Sequence, residues 1–215
     1  MNTDTPQSWL ERGAQSDPHA AALVMADGAV SYGDLAAQVH QRVRSLRHEV
    51  DTGVLVPVPV RLDMPSIVEM LAVMKIGGVV VPYGAHRPRL DGHPPRGAAV
   101  CLPTSGTRGR PQMVPLSYDN IAASVAASRT RLGNGPQDRW LATLPLTHVG
   151  GLSVLWRSLE AGGAVIVAPF DELLPDVLEG TLPTFASLVP TMLYRLMKSA
   201  PDELSRIGTV LIGGA

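Results

Sequence analysis

The 215-residue sequence predicts an α/β fold in which repeated β-α-β units build a largely parallel sheet covered by helices. Short β-branched runs such as Val79-Val80-Val81 alternate with segments whose apolar residues recur at helical spacing. Gly and Pro, 21 and 19 residues, stand between these runs instead of clustering, which gives many short elements joined by tight turns. With 45% hydrophobic residues, the chain can bury one good core or two smaller ones divided by a cleft. In such folds, ligands lie at the carboxyl ends of the strands.

From the N-terminus, Ser8-Trp9-Leu10-Glu11 has the spacing of a capping box and predicts a short helix there. An extended AALVMA segment turning at Asp27-Gly28 predicts a hairpin. Leu35, Val39, Val43 and Leu46 then mark one face of a helix between Tyr32 and His48, with Gln38, Arg42 and Arg47 turned to solvent. Val54 to Val60 is β-branched, but Pro57 and Pro59 cannot donate to a ladder, so this strand is short or at an edge. Asp63 caps a helix entered through Pro65 and striped by Ile67, Met70, Leu71 and Met74; Gly77-Gly78 ends it. Further strands are expected at Ala98 to Leu102, Trp140 to Thr143, Ala164 to Val167, Phe185 to Val189 and Thr209 to Ile212. Between them lie helices from Ser117 to Arg131, through Leu152, Leu155 and Leu159, and from Thr191 to Ser199, with a polar helical segment before Phe185. Trp9, Trp140 and Trp156 read as core or interface residues.

Composition excludes several classes of function. A net charge of −1 gives no general attraction to nucleic acid. The longest apolar runs fall well short of the roughly 18 residues of a membrane span, so no integral membrane association is expected. The N-terminus lacks a basic start followed by an apolar block, and Cys101 is the single cysteine, so a reducing cytoplasm is the simplest compartment. The histidines show no metal-ligand spacing, and no protein-held metal is expected. Charge is uneven, however: residues 84–139 carry eight Lys and Arg against three Asp and Glu. This basic stretch is either an anion-attracting field or an Arg-bearing solvated face.

Within it lies Thr104-Ser105-Gly106-Thr107-Arg108-Gly109-Arg110-Pro111, directly after an apolar strand. Gly106 and Gly109 permit backbone conformations in which successive N–H groups converge on an anion, and Thr104, Ser105 and Thr107 add hydroxyl donors. The Gly-Lys-Ser/Thr ending of a Walker A loop is missing, and the extended segment Gln112 to Leu116 comes before the helix, so an ordinary P-loop kinase is disfavoured. His148 sits between Pro145 and Gly150-Gly151, where a sharp turn can present its imidazole to a cleft; a hydrogen-bonded structural histidine is the alternative. Gly213, Gly214 and Ala215 follow the last strand, where small residues allow close approach of a ligand or simply end the strand.

TSGTRGRP resembles the phosphate loop of the adenylate-forming superfamily, which includes acyl-CoA synthetases, peptide-synthetase adenylation domains and luciferases. VSYGDLAAQVHQRVRSL, MLAVMKIGGVVVPYG, LPLTHVGG and TVLIGGA resemble further segments of that family in the same order. LPLTHVGGLSVLWRSLEAGGAVIV and SLVPTMLYRLM are most similar to 2-succinylbenzoate-CoA ligases of menaquinone biosynthesis. The resemblance implies that ATP, with Mg²⁺, activates a carboxylic acid to an acyl-adenylate, and that coenzyme A then displaces AMP. By the same resemblance, Thr104, Ser105, Gly106, Thr107 and Gly109 hold the β- and γ-phosphates, His148 orients the acyl-adenylate, and Gly213, Gly214 and Ala215 pass beside the adenine. The family has Lys where this chain has Gln112, leaving Arg108 or Arg110 to replace that charge.

The family pattern continues beyond Ala215 with a ribose-binding acid, a hinge and a small domain carrying the adenylation lysine. Residues 1–215 are therefore expected to be part of an N-terminal AMP-binding domain, inactive alone. A noncatalytic nucleotide-binding domain and an amino-acid adenylation domain serving a carrier protein remain alternatives, and a homodimer is left open.

Overall fold

The structure is a computed structural model and describes residues 4–90, 92–104, 112–170 and 180–214. Helix α1 (Pro6–Ser16) begins at Thr5, whose N–H donates to Ser8 Oγ (2.9 Å) while Ser8 N–H donates to Thr5 Oγ1 (3.3 Å). Its start therefore precedes Ser8, the cap expected from sequence. Pro6 is at home in the first turn, where its missing N–H costs nothing, and Ser8 becomes the third-position partner of the capping box.

Strands β1 (Ala21–Met25) and β2 (Gly28–Ser31) form the expected hairpin. Helix α2 (Tyr32–Leu46) buries Leu35, Val39, Val43 and Leu46 as its periodicity predicts. Arg42, expected toward solvent, instead crosses to Glu69 on α3 (Met64–Lys75): its Nη2 donates to Oε1 at 2.9 Å and its Nε to Oε2. Sequence periodicity places a residue on a helix face but cannot show that a second helix lies beside it. Asp63 caps α3 by accepting from Ser66 N–H at 2.9 Å. Among the described residues, strand β3 (Leu55–Pro59) pairs only with β4 (Val79–Tyr83), and this edge position tolerates Pro57 and Pro59, which have no N–H to donate.

Strands β5 (Ala98–Thr104) and β6 (Gln112–Ser117) run antiparallel, followed by α4 (Tyr118–Leu132), capped by Ser117. Then come β7 (Arg139–Ala142), α5 (Val149–Ala161), β8 (Ala164–Val167), β9 (Phe185–Leu188), α6 (Pro190–Ser199), α7 (Pro201–Ser205) and β10 (Thr209–Ile212). The polar helical segment expected before β9 falls largely in residues 171–179, outside the described residues.

The β-α-β repetition builds two sheets, where the sequence reading pictured one. Six strands are ordered β10-β9-β7-β8-β1-β2 and four are ordered β3-β4-β5-β6. Both are mainly parallel; the antiparallel pairs are β1/β2 and β5/β6. One buried cluster joins Val80 and Val100 of the smaller sheet to Trp140 and Val165 of the larger through Trp9, Leu35, Leu71 and Leu155 on the helices between them. The far face of the large sheet, with Leu141, Ile166, Ala186 and Leu188, is covered by Leu196, Ala200 and Ile207 from and around α6 and α7. Among the described residues, no helix is long and apolar enough to cross a membrane.

Candidate functional site

The order of the large sheet opens a crevice. From β7 the chain passes through α5 to β8 on one side of it, whereas β9 pairs on the other side of β7 and leads into α6. Helix α5 packs with the inter-sheet cluster, while α6 packs on the opposite face. The segments leaving β7 and β9 thus diverge at their carboxyl ends, the arrangement in which open α/β sheets bind ligands. A cavity of about 900 Å³ lies there. Its wall comes from the segment after β7, the ends of β9 and β10, Met192 of α6, and one face of α5.

Local chemistry fixes the approach of α5. His148 N–H donates to Pro145 O (3.1 Å), and Leu152 N–H to His148 O (3.2 Å), so His148 is the residue that turns the chain into the helix. Gly151 is required by packing: a Cβ there would meet the carbonyl oxygen of Pro145 and sit 2.6 Å from that of Leu144. Val149, Gly150, Ser153 and Arg157 follow at helical spacing and line the cavity together.

The expected site residues are distributed as follows. His148 is exposed, makes no side-chain cap to α5, and lines the cavity. Gly213 and Gly214 line the same cavity from the end of β10; Gly213 N–H donates to Leu188 O at 3.2 Å, and Gly214 has a φ of 73°, a conformation that suits glycine. Thr104 ends β5 and donates through Oγ1 to Gln112 O (3.1 Å); it is not among the residues lining the cavity. Ser105, Gly106, Thr107, Arg108, Gly109 and Ala215 lie outside the described residues.

Two cavity residues escaped the sequence reading. Arg157 lies with its guanidinium carbon 5.3 Å from the centroid of the Trp140 ring. Burial pulls its guanidinium below the ordinary value, because the charged form loses hydration there. Ser187, 7% exposed, accepts from Trp140 Nε1 at 3.0 Å, and Trp140 is itself stacked on Phe185 at 4.8 Å. The available signal was an Arg directly after Val154-Leu155-Trp156 in LSVLWRSLEA; for Ser187 there was none.

A crevice at the strand-order switch of a layered α/β chain, here with a histidine and a diglycine on its rim, is where open α/β sheets take ligands. In agreement, the chain belongs to the AMP-binding enzyme family, which it matches over residues 85–215. More specifically, it is 39% identical over 119 residues to 2-succinylbenzoate-CoA ligase of Lactococcus lactis subsp. lactis, covering 54% of this chain and 26% of that protein. To the enzyme of the same name from Escherichia coli it is 32% identical over 176 residues, covering 75% of this chain and 38% of that protein. The matched part is thus well under half the length of these relatives.

The fold superposes on O-succinylbenzoate coenzyme A synthetase from Bacillus subtilis in complex with AMP, with a TM-score of 0.81 and 23% identity over 96% of this chain and 67% of that one. A nonribosomal peptide synthetase bound to AMPPNP gives a TM-score of 0.86 at 21% identity, over 99% of this chain and 29% of that one. At such identities the superpositions speak for the fold.

Proposed function

We propose that this chain is part of the N-terminal AMP-binding domain of an acid-CoA ligase whose acid is 2-succinylbenzoate. The observation that carries this reading is the cavity shared by His148 and Gly213-Gly214 at the divergence of β7 and β9, in a member of the AMP-binding enzyme family. Similarity to 2-succinylbenzoate-CoA ligases supports the choice of acid.

In this reading, an oxygen of the acid's carboxylate attacks the α-phosphorus of ATP, the bond to the β-phosphate oxygen breaks, and pyrophosphate leaves. The sulfur of coenzyme A then attacks the acyl carbon and AMP departs. Thr104, Ser105, Gly106, Thr107, Arg108 and Gly109 would hold the β- and γ-phosphates. Mg²⁺, which binds readily through substrate phosphates, would come with them. Gly213, Gly214 and Ala215 would flank the adenine, where side chains would obstruct the base. His148 would orient the acyl-adenylate at the start of α5, where the helix dipole also favours negative charge. Positioning and fixed dipoles, more than proton transfer, would then lower the barrier.

The test is to incubate the whole encoded protein with ATP, Mg²⁺, 2-succinylbenzoate and coenzyme A and to follow products by mass spectrometry. AMP, pyrophosphate and the 2-succinylbenzoyl thioester are expected in equal amounts. AMP formation with amino acids alone would refute the choice of acid, and ATP binding without AMP release for any acid would refute the enzyme reading.

A further inference from the structure

A second cavity, of about 460 Å³, shares none of the residues that line the crevice. It lies where the chain enters β3 and β4, between Arg47, Asp51 and Thr52 on one side and Lys75 on the other. Val43, Val50 and Ile76 give it an apolar wall, and Thr52 Oγ1 donates to Ile76 O at 3.3 Å, which ties the two sides together. Arg47 and Lys75 against Asp51 leave the lining positive. None of the ion pairs found among the described residues includes Arg47, which is exposed at the rim.

The reactive group in this cavity is an amine. Lys75 and Lys198 are the lysines of the chain. The Lys75 side chain is 26% exposed, and its ammonium is paired with Oε1 of Glu11 on α1, an oxygen that also lies 3.5 Å from His40 Nε2 on α2. One carboxylate oxygen thus meets side chains of two other helices, beside a cavity that Lys75 itself lines. Burial holds the Lys75 ammonium below the ordinary lysine value, because the charged form loses hydration. Such a lysine offers more of the free amine, the form that attacks a carbonyl carbon. Lys198, by contrast, is exposed, with its ammonium 4.3 Å from the centroid of the Tyr194 ring.

We propose that Lys75 is acylated by thioesters of a phosphate-bearing carrier, with the acyl chain against Val43, Val50 and Ile76 and a phosphate on Arg47. The donor is of the class that the acid-activation reading would generate, but the site does not rest on that reading. In the step, the ammonium first yields one proton to solvent. The amine nitrogen bonds to the acyl carbon, the carbon–sulfur bond breaks, and a second proton passes from nitrogen by way of Glu11 to the departing thiolate. An amide and a free thiol result. The amide carries no charge, so the ion pair that ties α3 to α1 is lost on modification.

The experiment incubates the whole encoded protein near neutral pH with acetyl-CoA, or with S-acetyl-N-acetylcysteamine, which carries the same thioester without phosphate. Peptide mass spectrometry follows Lys75 and Lys198 separately. With acetyl-CoA, Lys75 should be labelled several-fold faster than the more exposed Lys198, and the preference should vanish in urea, where both are solvated alike. Arg47→Gln should slow labelling of Lys75 by acetyl-CoA about two- to fivefold, the range for an exposed ion contact, and leave labelling by the phosphate-free thioester unchanged. Circular dichroism checks that this variant folds. Equal or faster labelling of Lys198 in the folded protein, or a Lys75 preference that persists in urea, would overturn the site. Wild-type labelling of Lys75 by acetyl-CoA in folded Arg47→Gln would overturn the phosphate contact and with it the choice of carrier. None of these outcomes bears on acid activation, which is read from AMP and pyrophosphate.

Discussion

At the scale of single residues, the site depends on side chains that the surrounding backbone leaves available. His148 begins α5, yet its imidazole makes no capping bond to the helix and lines the cavity instead. His148→Ala in the whole enzyme should slow acyl-adenylate formation by about 1–3 kcal/mol, the worth of one positioned polar group. Single-turnover measurement at saturating acid checks this, and ATP affinity should hold. A variant with full adenylation would return His148 to a structural role. Gly151 acts by having no side chain: Gly151→Ala would drive a methyl group against the carbonyl oxygens of Pro145 and Leu144. Backbone cannot yield as a side-chain end can, so a loss of about 1–3 kcal/mol is expected in urea unfolding, together with weaker ligand binding. Wild-type stability in this variant would show that the α5 entry is more pliant than its packing implies.

At the scale of elements, α2 is anchored by Tyr32, which is 1% exposed. Its hydroxyl donates to the carbonyl oxygens of Gly163 (2.8 Å) and Ser158 (3.3 Å), where α5 turns into β8. Burial pushes the Tyr32 phenol above its ordinary range, since the phenolate would lose hydration. A folded-state value above the unfolded one gives a contribution that is full below the unfolded value, about 10, and is lost as pH rises past it. Tyr32→Phe should therefore cost about 1–2 kcal/mol near neutral pH, and it should flatten the alkaline decline in stability measured by urea titration between pH 8 and 11. An unchanged alkaline slope would mean that other groups carry that decline. Helix α3 was the element most fully legible in sequence: Asp63 caps it, and its stripe of Ile67, Met70, Leu71 and Met74 is buried. Local hydrogen-bonding chemistry and a 3.6-residue period are properties of the segment itself. The start of α1 was misread because Thr5 and Ser8 both suit a cap, and Pro6 decides between them.

At the scale of the whole molecule, the two sheets are not two independent units. Trp9, Trp140 and Trp156 belong to one buried cluster that runs from Val80 to Val165 through the helices. Unfolding followed by tryptophan fluorescence and by far-ultraviolet circular dichroism should give coincident transitions in urea. Separate midpoints would show that the small sheet melts on its own. The cavity belongs to the same architecture, because its wall is drawn from the segment after β7, from β9 and β10, and from both layers of helices.

The sequence by itself determined the order of most strands and helices, the Asp63 cap of α3, the short or edge character of β3 and the place of His148 before a helix. Each follows from spacing, proline chemistry or local hydrogen bonding within a few residues. Only the tertiary structure decided that the strands form two sheets, because strand pairing joins segments far apart in the chain: β1 pairs with β8 and β7 with β9. For the same reason, it alone brought Arg157 and Ser187 to one indole, 30 positions apart on a helix and a strand. Neither residue has a neighbour in sequence that announces this contact, which depends on α5 packing across β7 and β9.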